Sequence, residues 1–266
     1  MFKIAPGFVT VLLMAACPSP SQGPPPARAE VAPTGTLRAG INYGNVILAR
    51  KDKATGESSG VAIDLARELG RRLGVPVEIV AYDSVGAMVD GAKAGAWDIA
   101  FLGADPARAT EISFTAAYVE LEATYLVPAG SPLRAIADVD REGVRVAAPA
   151  RAAYELFLTR SLQRARLVRA QGADAAVDLL VTGEVEALAG LRQALIAPAA
   201  KLPGSRILDG QFMAVQQAVG VPKGRDAGVT YLRGFVEEAK ASGLVARAIE
   251  KTGAIGVSVA PEAPIQ

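Results

Sequence analysis

The chain has 266 residues, 51% of them hydrophobic, enough to bury a substantial core in one large or two small domains. Its 28 basic and 27 acidic residues leave a net charge of +1, so no nucleic-acid partner is expected. With no histidine and a single cysteine, Cys17, a Ser-His-Asp triad, an intrachain disulfide and a thiolate zinc site are excluded, and neither metal nor cofactor is expected.

Lys3 precedes an apolar run over residues 8–16, broken only by Thr10. A bilayer-spanning helix needs about 20 apolar residues, so this run is too short to span and reads instead as the core of a secretory signal. Small residues lead directly into Cys17, as Met14-Ala15-Ala16-Cys17. The tetrad resembles a bacterial lipobox, with methionine where that pattern prefers leucine. Residues 1–17 would then be a signal peptide with a lipobox-like end, Cys17 being lipidated and becoming the mature N-terminus; an ordinary cleaved signal is the alternative, and both readings export the protein. Six prolines between Pro18 and Pro33 block helix and sheet pairing, which predicts an extended tether over residues 18–34.

The folded part begins with a strand at 36–42, ending in the polar loop Asn42-Tyr43-Gly44-Asn45. Residues 51–60, rich in charge, glycine and serine, form a loop or hairpin tip. Ile63, Ala66, Leu69 and Leu73 recur at helical spacing, and Gly74 stops that helix. A strand at 77–81 leads to a second helix that Asp83 or Ser84 can cap, with Val85, Met88, Val89 and Ala92 on its apolar face. Gly95 ends it. Ile99 to Leu102 is too short an apolar run for a helix and suits a strand buried on both faces. The corner Gly103-Ala104-Asp105-Pro106-Ala107-Arg108 follows at that strand's C-terminal end, where open α/β sheets bind ligands. Residues 119–127 then form a long extended segment.

Past Pro128 the order repeats: strand at 144–147, polar loop 149–152, helix at 154–162, short strand at 167–169, helix at 174–182. Gly183-Glu184-Val185-Glu186-Ala187-Leu188 echoes Gly95-Ala96-Trp97-Asp98-Ile99-Ala100, each a glycine stop, two residues, an acid and an apolar strand. Two similar strand–helix–strand–helix–strand units imply two α/β lobes of related design. A further strand at 214–221 and helices at 231–240 and 244–252 close the chain, and the tail from 256 is expected to fray.

Several stretches together resemble the extracytoplasmic solute-binding proteins of family 3, the amino-acid-type receptors of ABC importers. Gly60-Val61-Ala62-Ile63-Asp64-Leu65-Ala66 is similar to that family's G-F-D-V-D-L-A helix start. Residues 95–100 resemble its G-K-Y-D-A-I, and residues 108–118 resemble its E-R-x-x-x-x-x-F-S-x-P-Y. Gly220-Val221-Pro222-Lys223-Gly224 and Ala241-Ser242-Gly243 resemble its last strand and closing helix. The resemblance implies a type II, two-lobe flytrap fold of α/β class with two crossover hinge strands. Lobe 1 would be residues 36–120 plus 219–257, lobe 2 residues 128–210, the hinges 121–127 and 211–218, and 258–266 a disordered tail.

It also implies a monomeric receptor, not an enzyme, periplasmic or held to the membrane by a lipid anchor, which delivers a small anionic or zwitterionic solute to an importer. Alternatives are a dehydratase-like enzyme on the same fold and an accessory protein that binds a protein partner. The family's carboxylate-binding arginine matches Arg108, whose bidentate fork suits a carboxylate. Its ammonium-binding aspartate aligns with Leu191, which argues against a standard α-amino acid, since an ammonium needs acceptors to replace its water. Asp105 is the one substitute carboxylate nearby. Gly103, Ala104 and Asn42 would complete the first-lobe wall. Tyr43 reads either as a lid or as packing, and Arg151 with Ala152 either as an anion contact at a helix start or as a solvated charge. Arg192 stands beside Leu191, and Gln216 or Gln217 could reach the cleft from the second crossover. Trp97 reads as core.

Overall fold

The structure, a computed structural model, describes residues 25–264; the signal and Cys17 lie outside the described residues. Two α/β lobes share two long strands. In chain order the first lobe begins with α1 (Pro25–Val31), β1 (Leu37–Asn42) and a two-residue hairpin, β2 (Arg50–Lys51) with β3 (Ser58–Ser59). Helix α2 (Val61–Leu73), β4 (Val77–Tyr82), α3 (Val85–Lys93) and β5 (Ile99–Gly103) follow. The 16-residue strand β6 (Ile112–Val127) crosses into the second lobe. There β7 (Arg145–Pro149), α4 (Ala153–Ser161), β8 (Arg166–Ala170), α5 (Ala173–Val181), β9 (Ala187–Leu191), α6 (Arg192–Lys201) and β10 (Arg206–Ile207) form a second unit. Strand β11 (Met213–Pro222) returns the chain to the first lobe, which α7 (Asp226–Ala241), α8 (Leu244–Thr252) and β12 (Val257–Val259) complete.

The first lobe's sheet runs β4-β1-β5-β11-β6, parallel through β4, β1 and β5 and antiparallel at β11. The second runs β8-β7-β9-β6-β10, parallel through β8, β7 and β9 and antiparallel at β6. In each, the third strand of the unit pairs with an antiparallel strand arriving from the other lobe. Strand β5 is buried along its whole length, as its unbroken apolar run requires. Trp97 is fully buried, its indole N–H donating to the Met88 carbonyl at 2.8 Å, which makes it core.

The echo between the units has a physical basis. Asp98 accepts from the Arg38 backbone N–H at 3.2 Å, from Nε at 3.0 Å and from Nη2 at 2.8 Å, and Arg38 Nη1 reaches the Gly95 carbonyl at 2.9 Å. Glu186 accepts the matching three bonds from Arg145, at 2.6, 3.1 and 2.7 Å, and Arg145 Nη2 reaches the Gly183 carbonyl at 3.1 Å. Gly95 and Gly183 have positive φ, 62° and 73°, which turns each helix into the strand that carries the acid. An arginine at the start of the first strand is thus clamped by the acid before the third strand, once per lobe.

Two expectations fail at the ends of the chain. Residues 25–31 of the expected tether form α1, whose Ala27 and Val31 are buried, followed by buried Ala32. The helix packs on α7, where Glu30 accepts the Gly228 N–H at 2.7 Å and Arg225 donates to the Glu30 carbonyl at 2.8 Å. The prolines at 25 and 26 sit in the first turn, where a missing N–H costs nothing. At the other end the tail is ordered: β12 pairs with β6 and Lys240 Nζ donates to the Pro261 carbonyl at 2.7 Å. Its apolar residues cover the crossover rather than fray.

Candidate functional site

A cleft of about 540 Å³ opens between the lobes. Its walls are the C-terminal ends of the parallel strands and the helix starts that follow them: residues around Asn42 after β1, 83–88 after β4, 101–103 of β5, 149–154 after β7, 171–173 after β8, and Leu191 with Ala194 after β9. Val215 and Gln217 of β11 complete it. A volume of this size holds one small molecule.

Helices α3, α4, α5 and α6 all begin at this cleft. The start of α3 is capped by Ser84, whose hydroxyl accepts from Ala87 N–H at 3.2 Å. The starts of α4, α5 and α6 carry no side-chain cap on their first N–H groups; Glu155 and Asp174 in the first turns of α4 and α5 offset part of the positive dipole there, and α6 has no such acid. Such a convergence favours an anion.

Arg108 adds a full charge. Its turn is set by Asp105, whose Oδ1 accepts from Ala107 N–H at 2.8 Å and whose carbonyl accepts from Arg108 N–H at 3.0 Å. Arg108 is 5% exposed as a residue; Nη1 donates to the Gly103 carbonyl at 2.5 Å and Nη2 to the Arg151 carbonyl of the other lobe at 2.7 Å. Burial lowers its pKa to about 10, opposed by the negative charge of Asp105, reinforced by Arg151 and opposed again by Glu155. It therefore stays a cation at neutral pH, with three N–H donors beyond the two in use.

Gly103 forms the floor between these groups. A Cβ there would lie 3.0 Å from the Ala153 Cβ of the other lobe and 3.1 Å from Val215 Cγ1. A side chain there would crowd both, and the lobes would have to part by a few tenths of an ångström to admit it.

The expected site residues divide. Asn42, Gly103, Arg108, Arg151 and Ala152 line the cleft. Arg151 has the left-handed backbone, φ 65°, with its N–H donating to Glu155 at 2.9 Å. Its guanidinium crosses the lobe gap to grip Asp90 of α3 at 2.8 and 2.9 Å, and that hydrogen-bonded pairing raises the pKa of Arg151 and lowers that of Asp90.

The others are spent elsewhere. Asp105 lies beneath the loop, 4% exposed, accepting from Arg160 of α4 at 2.8 Å, so it holds the lobes rather than facing the cleft. Ala104 closes the strand by donating its N–H to the Gln216 carbonyl at 2.7 Å. Tyr43 turns its hydroxyl to Ser58 Oγ at 2.6 Å, pinning the small hairpin. Arg192 ties α6 to the crossover through Glu122 at 2.5 Å and the Gly210 carbonyl at 2.6 Å. Gln216 bonds Glu120 on the neighbouring strand at 2.8 Å, and Gln217, on the opposite face of the strand, lines the cleft instead.

Phe101, Tyr154 and Val215 are lining residues that sequence reasoning did not single out. Strand alternation was the one available signal for Val215 and Gln217, two residues apart on one face. Asp83, exposed at the mouth, is the only carboxylate among the described lining residues.

The model of the bacterial extracellular solute-binding proteins, family 3, matches residues 37–253. The chain belongs to this family. Solved structures share its two-lobe fold. The solute receptor for L-cysteine of Neisseria gonorrhoeae superposes with a TM-score of 0.71 at 23% identity, over 85% of this chain and 93% of that one. A mutant of ArgBP from T. maritima gives 0.70 at 22% identity, over 85% and 99%. The ancestral amino acid-binding protein AncCDT-1, described as a precursor of cyclohexadienyl dehydratase, gives 0.68 at 24%, over 84% and 97%. No curated protein matches the chain. As a family 3 protein it is a solute-binding protein, and among its described residues no helix is long and apolar enough to cross a membrane.

Proposed function

We propose that this chain is an exported, lipid-anchored receptor that encloses a small carboxylate-bearing solute between its lobes and presents it to an ABC importer. What carries the reading is the convergence of the buried Arg108 and three uncapped helix starts on one cleft. Anion recognition in water is weak, but a charge-assisted pair inside a closed cleft is roughly twice as strong as a neutral hydrogen bond. Apolar walls at Leu48, Phe101, Leu191 and Val215 add burial for the rest of the solute. An affinity near 1 μM corresponds to about −8.2 kcal/mol, within reach of that combination.

Two features narrow the solute. Leu191, 8% exposed, stands in the wall at the position that the sequence resemblance matches to the family's ammonium-binding aspartate, so this corner offers apolar surface. Binding rather than turnover is favoured because the described lining residues include no buried carboxylate and no histidine, and burial raises the pKa of the Tyr154 hydroxyl; the exposed Asp83 is poorly suited to general acid–base work.

Native mass spectrometry of the full chain, purified from a membrane fraction, tests the reading. The expected spectrum shows a lipid mass on Cys17 and a small anionic molecule that co-purifies. Arg108→Met is expected to lose that molecule while keeping a cooperative unfolding transition. Retention of the molecule by Arg108→Met would remove Arg108 from the site, and a chain without lipid would leave an ordinary cleaved signal.

A further inference from the structure

One buried group in the cleft has no work in the ligand-free molecule. The Gln217 side chain lines the cleft, the residue is 5% exposed, and its Oε1 is buried without a hydrogen-bond partner among the described residues. Its neighbour Gln216 faces the other way and is satisfied by Glu120. A buried amide oxygen left unpaired opposes folding, because water that bonded it in the unfolded chain has not been replaced. Such an atom inside a binding cleft is explained by a donor that arrives with the ligand.

Its position says which part of the ligand. Gln217 pairs in register with Gly103, whose carbonyl accepts from Arg108 Nη1. A Cβ at Gly103 would stand 3.0 Å from Ala153 Cβ, 3.1 Å from Val215 Cγ1 and 3.5 Å from Arg108 Nη1, so Arg108, β11 and the start of α4 meet at Gly103, beside the open cleft that Arg108 and Gln217 both line. The cation and the free acceptor border the same corner.

We propose that Gln217 is a specificity-determining residue whose amide oxygen accepts a hydrogen bond from a neutral donor, a hydroxyl or amide N–H, carried close to the ligand carboxylate. The inference rests on the reading of Arg108 as the carboxylate clamp. The acceptor count selects the donor type. An ammonium has three N–H groups to satisfy, whereas a hydroxyl or amide has one. Asn42 Oδ1 and Asn45 Oδ1 already accept from backbone N–H groups, at 2.9 and 3.2 Å. With Asp83 and Gln171 exposed and Leu191 apolar, this buried, unpartnered acceptor among the described lining residues suits a 2-hydroxy or N-acyl acid.

Three probes of one skeleton test this by calorimetric titration of the full chain: 4-methylpentanoate, its 2-hydroxy derivative, and leucine. The hydroxy acid is expected to bind about tenfold tighter than the parent acid and tighter than leucine. Gln217→Met, close in size and without the amide, is expected to erase that tenfold gain, read as the ratio of the two acids' affinities in the same variant, and to keep or raise the ligand-free Tm. Equal binding of the two acids, a gain that survives Gln217→Met, or tighter binding of leucine overturns the proposal while the carboxylate reading stands. A lowered ligand-free Tm in Gln217→Met with the gain intact assigns Gln217 to the frame and also overturns it. Parent-acid binding that survives Arg108→Met, or no binding of any probe at millimolar concentration, overturns the carboxylate reading and this inference with it.

Discussion

Asp98 and Glu186 do the same chemistry in different surroundings, and burial decides what each contributes. Asp98 is fully buried and serves a second cation, Arg225, whose Nη1 lies 3.3 Å from Oδ1. Removing it strands the Arg38 and Arg225 guanidinium groups and the Arg38 N–H in a partly dry site. Breaking a buried pair costs about 3 kcal/mol, and Asp98→Ala is expected to lose roughly that much in urea unfolding. Glu186 and Arg145 are about two-fifths exposed, at 38% and 40%, so water can take over when either is lost. Glu186→Ala should therefore shift the midpoint far less. Equal losses for the two variants would show that burial is not what separates them.

The same pair marks what sequence can and cannot reveal at this scale. Both acids were visible as an echo between units, because glycine, acid and apolar strand are neighbours in the chain. Their partners Arg38 and Arg145 lie 60 and 41 residues upstream, and only the parallel pairing of the first and third strands brings them together. Arg108 was legible because its corner is local. Gln217 was not separable from Gln216, since nothing in two adjacent glutamines states which face of a strand is the cleft.

At the scale of elements, the interior of the fold was readable because apolar spacing of two or three to four residues dominates there. Helix α2 runs over the residues that the spacing marks, and β5 matches its short apolar run. Helix α6 was missed because Pro198 sits inside it and its apolar residues share no one face. Helix α1 was missed because proline density outweighed two small apolar residues at helical spacing. The energetics favour the helix: Val31 is fully buried, Ala27 and Ala32 nearly so, and Glu30 supplies a hydrogen bond to α7. Burying one valine side chain and making that bond are together worth about 2–4 kcal/mol. A chain begun at Pro25 is therefore expected to keep its stability in thermal unfolding, and one begun at Gly35 to lose several degrees of Tm. Identical Tm values would mean that the N-terminal helix does not dock on α7 in solution.

For the whole molecule, the arrangement of charges sets how the lobes meet. At the mouth of the cleft the contacts that cross the gap include Arg151 of the second lobe to Asp90 of the first, Arg160 to Asp105, and Arg108 to the Arg151 carbonyl. Each joins groups that separate if the lobes open, so together they bias an open–closed equilibrium toward the closed form. The Arg151–Asp90 contact is the exposed one, with side chains 48% and 62% accessible, and Asp90, its first-lobe partner, is not itself a lining residue of the cleft. The Asp90 carboxylate is held below its ordinary pKa by the Arg151 hydrogen bond, then by the charges of Arg151 and Lys93. A carboxylate with a lowered pKa in the closed form supports that form above its ordinary value and ceases to do so as pH falls through the lowered one. At neutral pH Asp90→Asn is expected to increase the radius of gyration measured by small-angle scattering, and to speed ligand release more than it slows capture. In the unmodified protein the same expansion should appear only as pH drops below the ordinary aspartate range, and added salt should mimic it in part, since this pair is screened by solvent ions while the buried Asp105 is not. An unchanged radius in Asp90→Asn would place the whole closing bias on Arg160, Asp105 and Arg108, the contacts that lie against the proposed anion corner.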